Sequence, residues 1–127
     1  MASRIDREGP IQRSIVAYLR RVMPDALVHH SAGESHLSGK AAMLATVRKK
    51  ADGMVPGFPD IIVFPSSVVG AFLLEVKAEA GRVSDAQKDV HAQLRGLGYR
   101  VAVVRSIEDV RESLFEWGIQ TAETGAA

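Results

Sequence analysis

The chain has 127 residues, 46% of them hydrophobic and 24% charged, with a formal net charge of +1 and no cysteine. Such a length suits one domain covering 1–127, with a core over 8–117 that needs no covalent staple. The missing cysteines exclude disulfides, thiolate metal sites and a cysteine nucleophile, and no apolar run approaches the ~20 residues of a membrane span.

The first ten residues are too charged for a secretory leader, so the cytoplasm is the expected compartment. Residues 10–23 read as an amphipathic helix, with Ile11, Ile15, Tyr18, Leu19 and Val22 at helical spacing. Pro10 suits its first turn and Pro24 stops it. A short strand is expected over 26–30 and a loop over 31–38. A helix follows over 39–50, with a weaker apolar face of Ala41, Leu44, Ala45 and Val47. Within 39–51 lie Lys40, Arg48, Lys49 and Lys50 and no acid, a patch able to meet phosphates, although such runs are more often solvated helix surface.

Two strands joined by a hairpin come next. The run Ile61-Ile62-Val63-Phe64 opens on Asp60, the run over 71–78 carries Glu75 and Lys77, and Pro65 and Gly70 bracket the connection. Ser84-Asp85-Ala86-Gln87 has the form of a capping box, starting a helix with Ala86, Val90, Leu94 and Leu97 on one face. A strand over 99–105 and a helix over 107–117 capped by Ser106 complete the domain, and 118–127 reads as a flexible tail. A strand, a crossover helix and another strand imply a parallel pair beside the antiparallel hairpin. The expected fold class is therefore α/β, a mixed sheet with helices on both faces.

The charges in these strands hold the chemical information. Period-two alternation points Glu75 and Lys77 to the same face. If the turn is centred between Ser67 and Val68, Asp60 lies directly across from Glu75, where facing Cβ atoms are roughly 4.5–5.5 Å apart and like charges repel. A hard divalent cation bound by these carboxylates and a backbone carbonyl, that of Val76, would relieve the repulsion. Lys77 could then position or help deprotonate an attacking water, which is the logic of metal-assisted phosphodiester hydrolysis. The plainer alternative makes Glu75 and Lys77 a solvent-facing pair near a strand end. His29, His30 and His36 show no convergent spacing that would suit zinc.

The string Gly57-Phe58-Pro59-Asp60-Ile61-Ile62-Val63, then Leu74-Glu75-Val76-Lys77, then Gly81 and Ser84-x-x-Gln87, resembles the PD-(D/E)XK nuclease superfamily. More narrowly it resembles the VRR-NUC (virus-type replication-repair nuclease) domain, from about Glu8 to Arg105. The resemblance implies a restriction-endonuclease-like fold and DNA cleavage dependent on Mg²⁺ or Mn²⁺, favouring branched substrates such as four-way junctions or flaps. It makes Asp60 and Glu75 metal ligands, Lys77 the catalytic lysine, Gln87 a helix glutamine near the site, and Glu8 an acid able to complete the site. In the family the segment before the Gly-x-Pro-Asp motif helps to grip DNA, which gives Lys40, Arg48, Lys49 and Lys50 a role as phosphate contacts. A bacterial or phage source follows from the same resemblance. Symmetric cutting of a junction would call for a homodimer. The competing expectations are a catalytically inert nucleic-acid-binding module of this fold, a restriction-like duplex nuclease, and a purely structural α/β protein. Gln12 and His91 each lie one turn from a site residue on their helices. Gln12 could contact the site or substrate and His91 could face the cleft, although surface exposure for Gln12 and partial burial for His91 are the simpler readings, and Trp117 suits the core or a subunit contact.

Overall fold

The computed structural model describes residues 6–31, 40, 43, 44, 47, 48 and 52–124. Its regular elements are α1 (Glu8–Val22), β1 (Leu27–His30), β2 (Ile61–Phe64), β3 (Phe72–Val76), α2 (Asp85–Gly96), β4 (Arg100–Val104) and α3 (Ile107–Glu116). Lys40, Met43, Leu44, Val47 and Arg48 are also helical, within the segment expected to form a helix. The four strands form one sheet in the order β1-β2-β3-β4. The first two pairings are antiparallel and the third is parallel, with α2 as the crossover. This is the mixed α/β sheet read from the sequence, consistent with a restriction-endonuclease-like fold.

Alternation along the strands divides the sheet into two unequal faces. Ile61, Val63, Phe72, Leu74, Val76 and Val104 point to one side and pack with Ile15, Leu19 and Val22 of α1 and with Val110 and Leu114 of α3. Trp117 stacks obliquely on Phe72, ring centroids 5.3 Å apart, so it belongs to this core. At roughly 1.5–3 kcal/mol per buried aliphatic or aromatic side chain, this face dominates the stability of the domain. On the other side Leu73 and Val101 are also buried, and α2 packs against β4 with Val90 and His91 as its buried residues. The helix face expected from Ala86, Val90, Leu94 and Leu97 is therefore corrected. Ala86 is exposed, Leu97 is 74% exposed, and His91 takes up the contact with the sheet. The helix is rolled so that its buried stripe runs through residues 87, 90, 91 and 94, all less exposed than their neighbours.

Residues 119–124, which the sequence groups with the tail, lie against α1. Ala122 N–H donates to the Val22 carbonyl at 2.8 Å, and Tyr18 Oη–H donates to Glu123. Arg111 also binds Glu123 and lies over the Tyr18 ring. Among the described residues no helix is long and apolar enough to cross a membrane.

Candidate active site

The site lies where the N-terminal ends of α1 and α2 meet the start of β2 and the end of β3. The hairpin register pairs Ile61 with Leu74 and Ile62 with Leu73, and one further step sets Asp60 opposite Glu75. The short chain through 65–71 cannot slip by one residue without turning Ile61 and Val63 out of the core, so packing fixes this register. Asp60 Oδ2 accepts a hydrogen bond from Val76 N–H at 2.8 Å. In an extended residue the N–H and C=O face the same neighbour, so the Val76 carbonyl is also turned towards the Asp60 side. At its other end Asp60 is tied to β1, its carbonyl accepting from Ser31 N–H at 2.8 Å.

Glu75 is only 1% exposed and Lys77 8%, which removes the alternative of a solvent-facing pair. Lys77 Nζ lies 3.9 Å from Glu75 Oε2. Gln87 Nε2 donates to the same oxygen at 3.3 Å. The Glu75 carboxyl group is pushed well above the ordinary carboxylate range. Burial is the largest cause, followed by a hydrogen bond shared with Asp60 and repulsion from its charge; Lys77 opposes the rise and Glu8 adds to it. Glu8, in the first turn of α1, thus reaches the site electrostatically, and in the same turn Gly9 N–H donates to Asp6 Oδ1 at 2.8 Å.

The capping box that positions Gln87 is complete. Ser84 Oγ accepts from Gln87 N–H at 3.1 Å, and Gln87 Oε1 accepts from Ser84 N–H at 2.9 Å. The two ends of the Gln87 amide therefore do different work, the oxygen capping α2 and the nitrogen holding Glu75. The motif glycine explains how α2 comes so close. Gly57 has φ +84, and a Cβ built there would lie 2.6 Å from the Ala86 carbonyl oxygen. Only glycine permits both that backbone conformation and that approach, so the loop carrying Asp60 rests directly on the first turn of α2.

Two further residues shape the site. His91, 2% exposed, directs Nε2 to within 3.5 Å of Glu75 Oε1. Burial, together with Arg95 and Lys77, lowers its pKa. Its position one turn after Gln87 was the available signal, but partial burial was the simpler expectation. Arg105 donates from Nη1 to the carbonyls of Ala78 at 2.6 Å and Gly81 at 2.8 Å, clamping the loop that leaves Lys77. No local pattern pointed to that contact. Gln12 meets His30, with Oε1 3.2 Å from Nε2, beside the Asp60 end of β1. His29 is exposed, and His36, Lys49 and Lys50 lie outside the described residues. Lys40 and Arg48 are exposed helix residues with no ion pair among the described residues.

The donor set fits a hard divalent ion. Two facing carboxylates and a carbonyl on the same side are oxygen ligands, and Glu75 Oε1 is a buried acceptor without a hydrogen-bond partner among the described residues. No group of three or more His, Cys, Asp or Glu side chains converges there among the described residues. Mg²⁺ takes oxygen donors from one or two carboxylates and keeps several waters, so the two carboxylates and the carbonyl are donors of the kind it uses.

Comparison with known proteins bears on the same residues. The family model for the VRR-NUC domain matches residues 6–108. Two solved structures share the fold. One, titled a VRR_NUC domain protein, is 21% identical with a TM-score of 0.63, over 90% of this chain and 89% of the other. The second, titled VRR_NUC domain, is 24% identical with a TM-score of 0.59, over 88% of this chain and 97% of the other. A search of curated proteins produced no match.

Proposed function

Since the chain belongs to the VRR-NUC family of nuclease domains, we propose that it is a divalent-metal-dependent DNA endonuclease whose site is built on Asp60, Glu75 and Lys77. The observation that carries this reading is the buried Glu75 carboxyl group, held opposite Asp60 with Lys77 beside it. A folded protein tolerates such a pair only where the cost of burial is offset by another role. Asp60, Glu75 and the Val76 carbonyl would hold Mg²⁺ or Mn²⁺, and Glu8, whose charge is felt at Glu75, is the further acid proposed to complete the site. The ion, when bound, supplies Lewis acidity and neutralises charge at the scissile phosphate.

The chain's own residues do the rest. Asp60 is held by the Val76 N–H, which leaves its other oxygen for the ion. Gln87 holds Glu75 Oε2, so the carboxylate is oriented before substrate arrives. The Lys77 ammonium, nearly shielded from water, orients the attacking water and offsets charge that develops at phosphorus. The cationic run Lys40, Arg48, Lys49 and Lys50 supplies phosphate contacts that position DNA without reading bases.

For substrate we propose branched DNA cut by a homodimer, because a single domain of this size has one site and a junction needs two opposed cuts. The test is cleavage of four-way junction, flap, single-stranded and plain duplex DNA, with Mg²⁺, Mn²⁺ or chelator, beside Glu75→Ala and Lys77→Ala. Metal-dependent cutting of branched substrates, lost in both variants, is the expected result. Binding without cutting would identify an inert module, and equal cutting of plain duplex would identify a restriction-like enzyme. A strictly monomeric species by light scattering that still cuts both strands symmetrically would remove the dimer.

A further inference from the structure

We infer that His91 is a positioning residue for Glu75, setting the orientation of the carboxylate on which the proposed ion site depends; the inference rests on that reading. Gln87 and His91 lie one turn apart on α2, so their side chains project from the same face of the helix. Both are turned to one carboxylate. Gln87 Nε2 takes Oε2 at 3.3 Å, and His91 Nε2 approaches Oε1 at 3.5 Å. The two atoms left without a hydrogen-bond partner among the buried side-chain atoms of the described residues are these same two, Glu75 Oε1 and His91 Nε2. Two orphaned polar atoms facing each other in a dry position form an unclosed contact. A shift of about 0.6 Å would bring them to ordinary hydrogen-bond length.

The direction of that bond follows from the chemistry of the groups. A carboxylate that has given up its proton to hold a cation only accepts, so in the ion-bound site His91 carries its proton on Nε2 and donates. With both oxygens of Glu75 gripped from the α2 side, its carboxylate plane is set by one helix. The lone pairs that remain can then face Asp60 and the Val76 carbonyl. Partners of this kind, acting behind a metal ligand, commonly change metal affinity 10–100-fold. A histidine serving only as filler between α2 and β4 would affect stability and leave metal affinity alone.

The experiment is Mn²⁺ titration by calorimetry, without DNA, on wild type and on His91→Gln, His91→Asn and His91→Leu, with unfolding followed in chelator. His91→Gln keeps an N–H near the Nε2 position, whereas the shorter Asn does not reach it. Expected is an affinity about 10–100-fold weaker for His91→Leu and His91→Asn, restored to within several-fold of wild type by His91→Gln. Folded His91→Leu that binds Mn²⁺ as tightly as wild type would overturn the assignment. Equal affinities for the Gln and Asn variants would overturn it too, and this arm does not depend on His91→Leu folding. Wild type that binds no Mn²⁺ would instead overturn the metal reading, and this inference with it.

Discussion

Glu75 is the most strongly perturbed carboxyl group among the described residues, and its protonation links stability to pH. Its carboxyl pKa is raised in the folded state. Above the ordinary carboxylate value, the folded protein therefore binds a proton that the unfolded chain has released, and stability falls as pH rises through that window. Glu75→Gln removes this penalty. In chelator it is expected to unfold at higher temperature than wild type at about pH 8, with the difference vanishing near pH 4, where both states are protonated. Thermal unfolding at the two pH values measures it, and a gain of about 1–2 kcal/mol is expected at the higher pH. The same variant should be inactive in cleavage. A stabilised, inactive protein would identify Glu75 as a group kept for function at the expense of stability.

Among the elements, the first turn of α2 and the loop over 57–60 act as one unit. Gly57→Ala would force a Cβ against the Ala86 carbonyl and strain a positive φ. It is expected to cost about 1–3 kcal/mol in denaturant unfolding and to lower cleavage further by displacing Asp60 from Glu75. The capping box separates two roles within one residue. Ser84→Ala removes one cap bond and should cost about 1 kcal/mol with cleavage largely retained. Gln87→Ala removes both the reciprocal cap bond and the contact to Glu75, so a similar loss of stability should come with a far larger loss of activity. Parallel measurement of unfolding and turnover distinguishes the two variants. Equal activity in both would leave Gln87 with a capping role alone.

For the whole molecule, sheet asymmetry separates support from chemistry. The face against α1 and α3 is a continuous apolar core, while the face under α2 holds Glu75, Lys77 and His91. Mg²⁺ binding should stabilise the folded state by mass action, about 2.7 kcal/mol at a concentration 100 times the dissociation constant. Because the ligands must be deprotonated, the rise in melting temperature should be larger near pH 8 than near pH 5. A rise independent of pH would argue against binding at these carboxylates. For DNA, replacing Lys49 and Lys50 by alanine should weaken binding and reduce the slope of log affinity against log salt by about 0.9 per lost phosphate contact on duplex. An unchanged slope would show that these lysines do not meet the backbone.

Much of this was written in local sequence. The apolar runs of β2 and β3, the Pro65 and Gly70 boundaries and the Ser84-x-x-Gln87 spacing determine two strands and a helix start, and a turn centred between Ser67 and Val68 adds the register. Together these put Asp60 opposite Glu75 and Lys77 on the same face as Glu75. Such features are legible because strand and helix periods are properties of a few consecutive residues. What only the tertiary structure decided is the environment around those charges. The roll of α2 buried His91 in place of Leu97, Gly57 allowed that helix to touch the Asp60 loop, and Arg105 reached back to the carbonyls after Lys77. These contacts join elements separated by tens of residues, and a short pattern holds no information about how two distant elements cross. Burial turned a pair of strand charges into a strained, orientable carboxylate, and burial is a property of the assembled sheet and helices rather than of any segment.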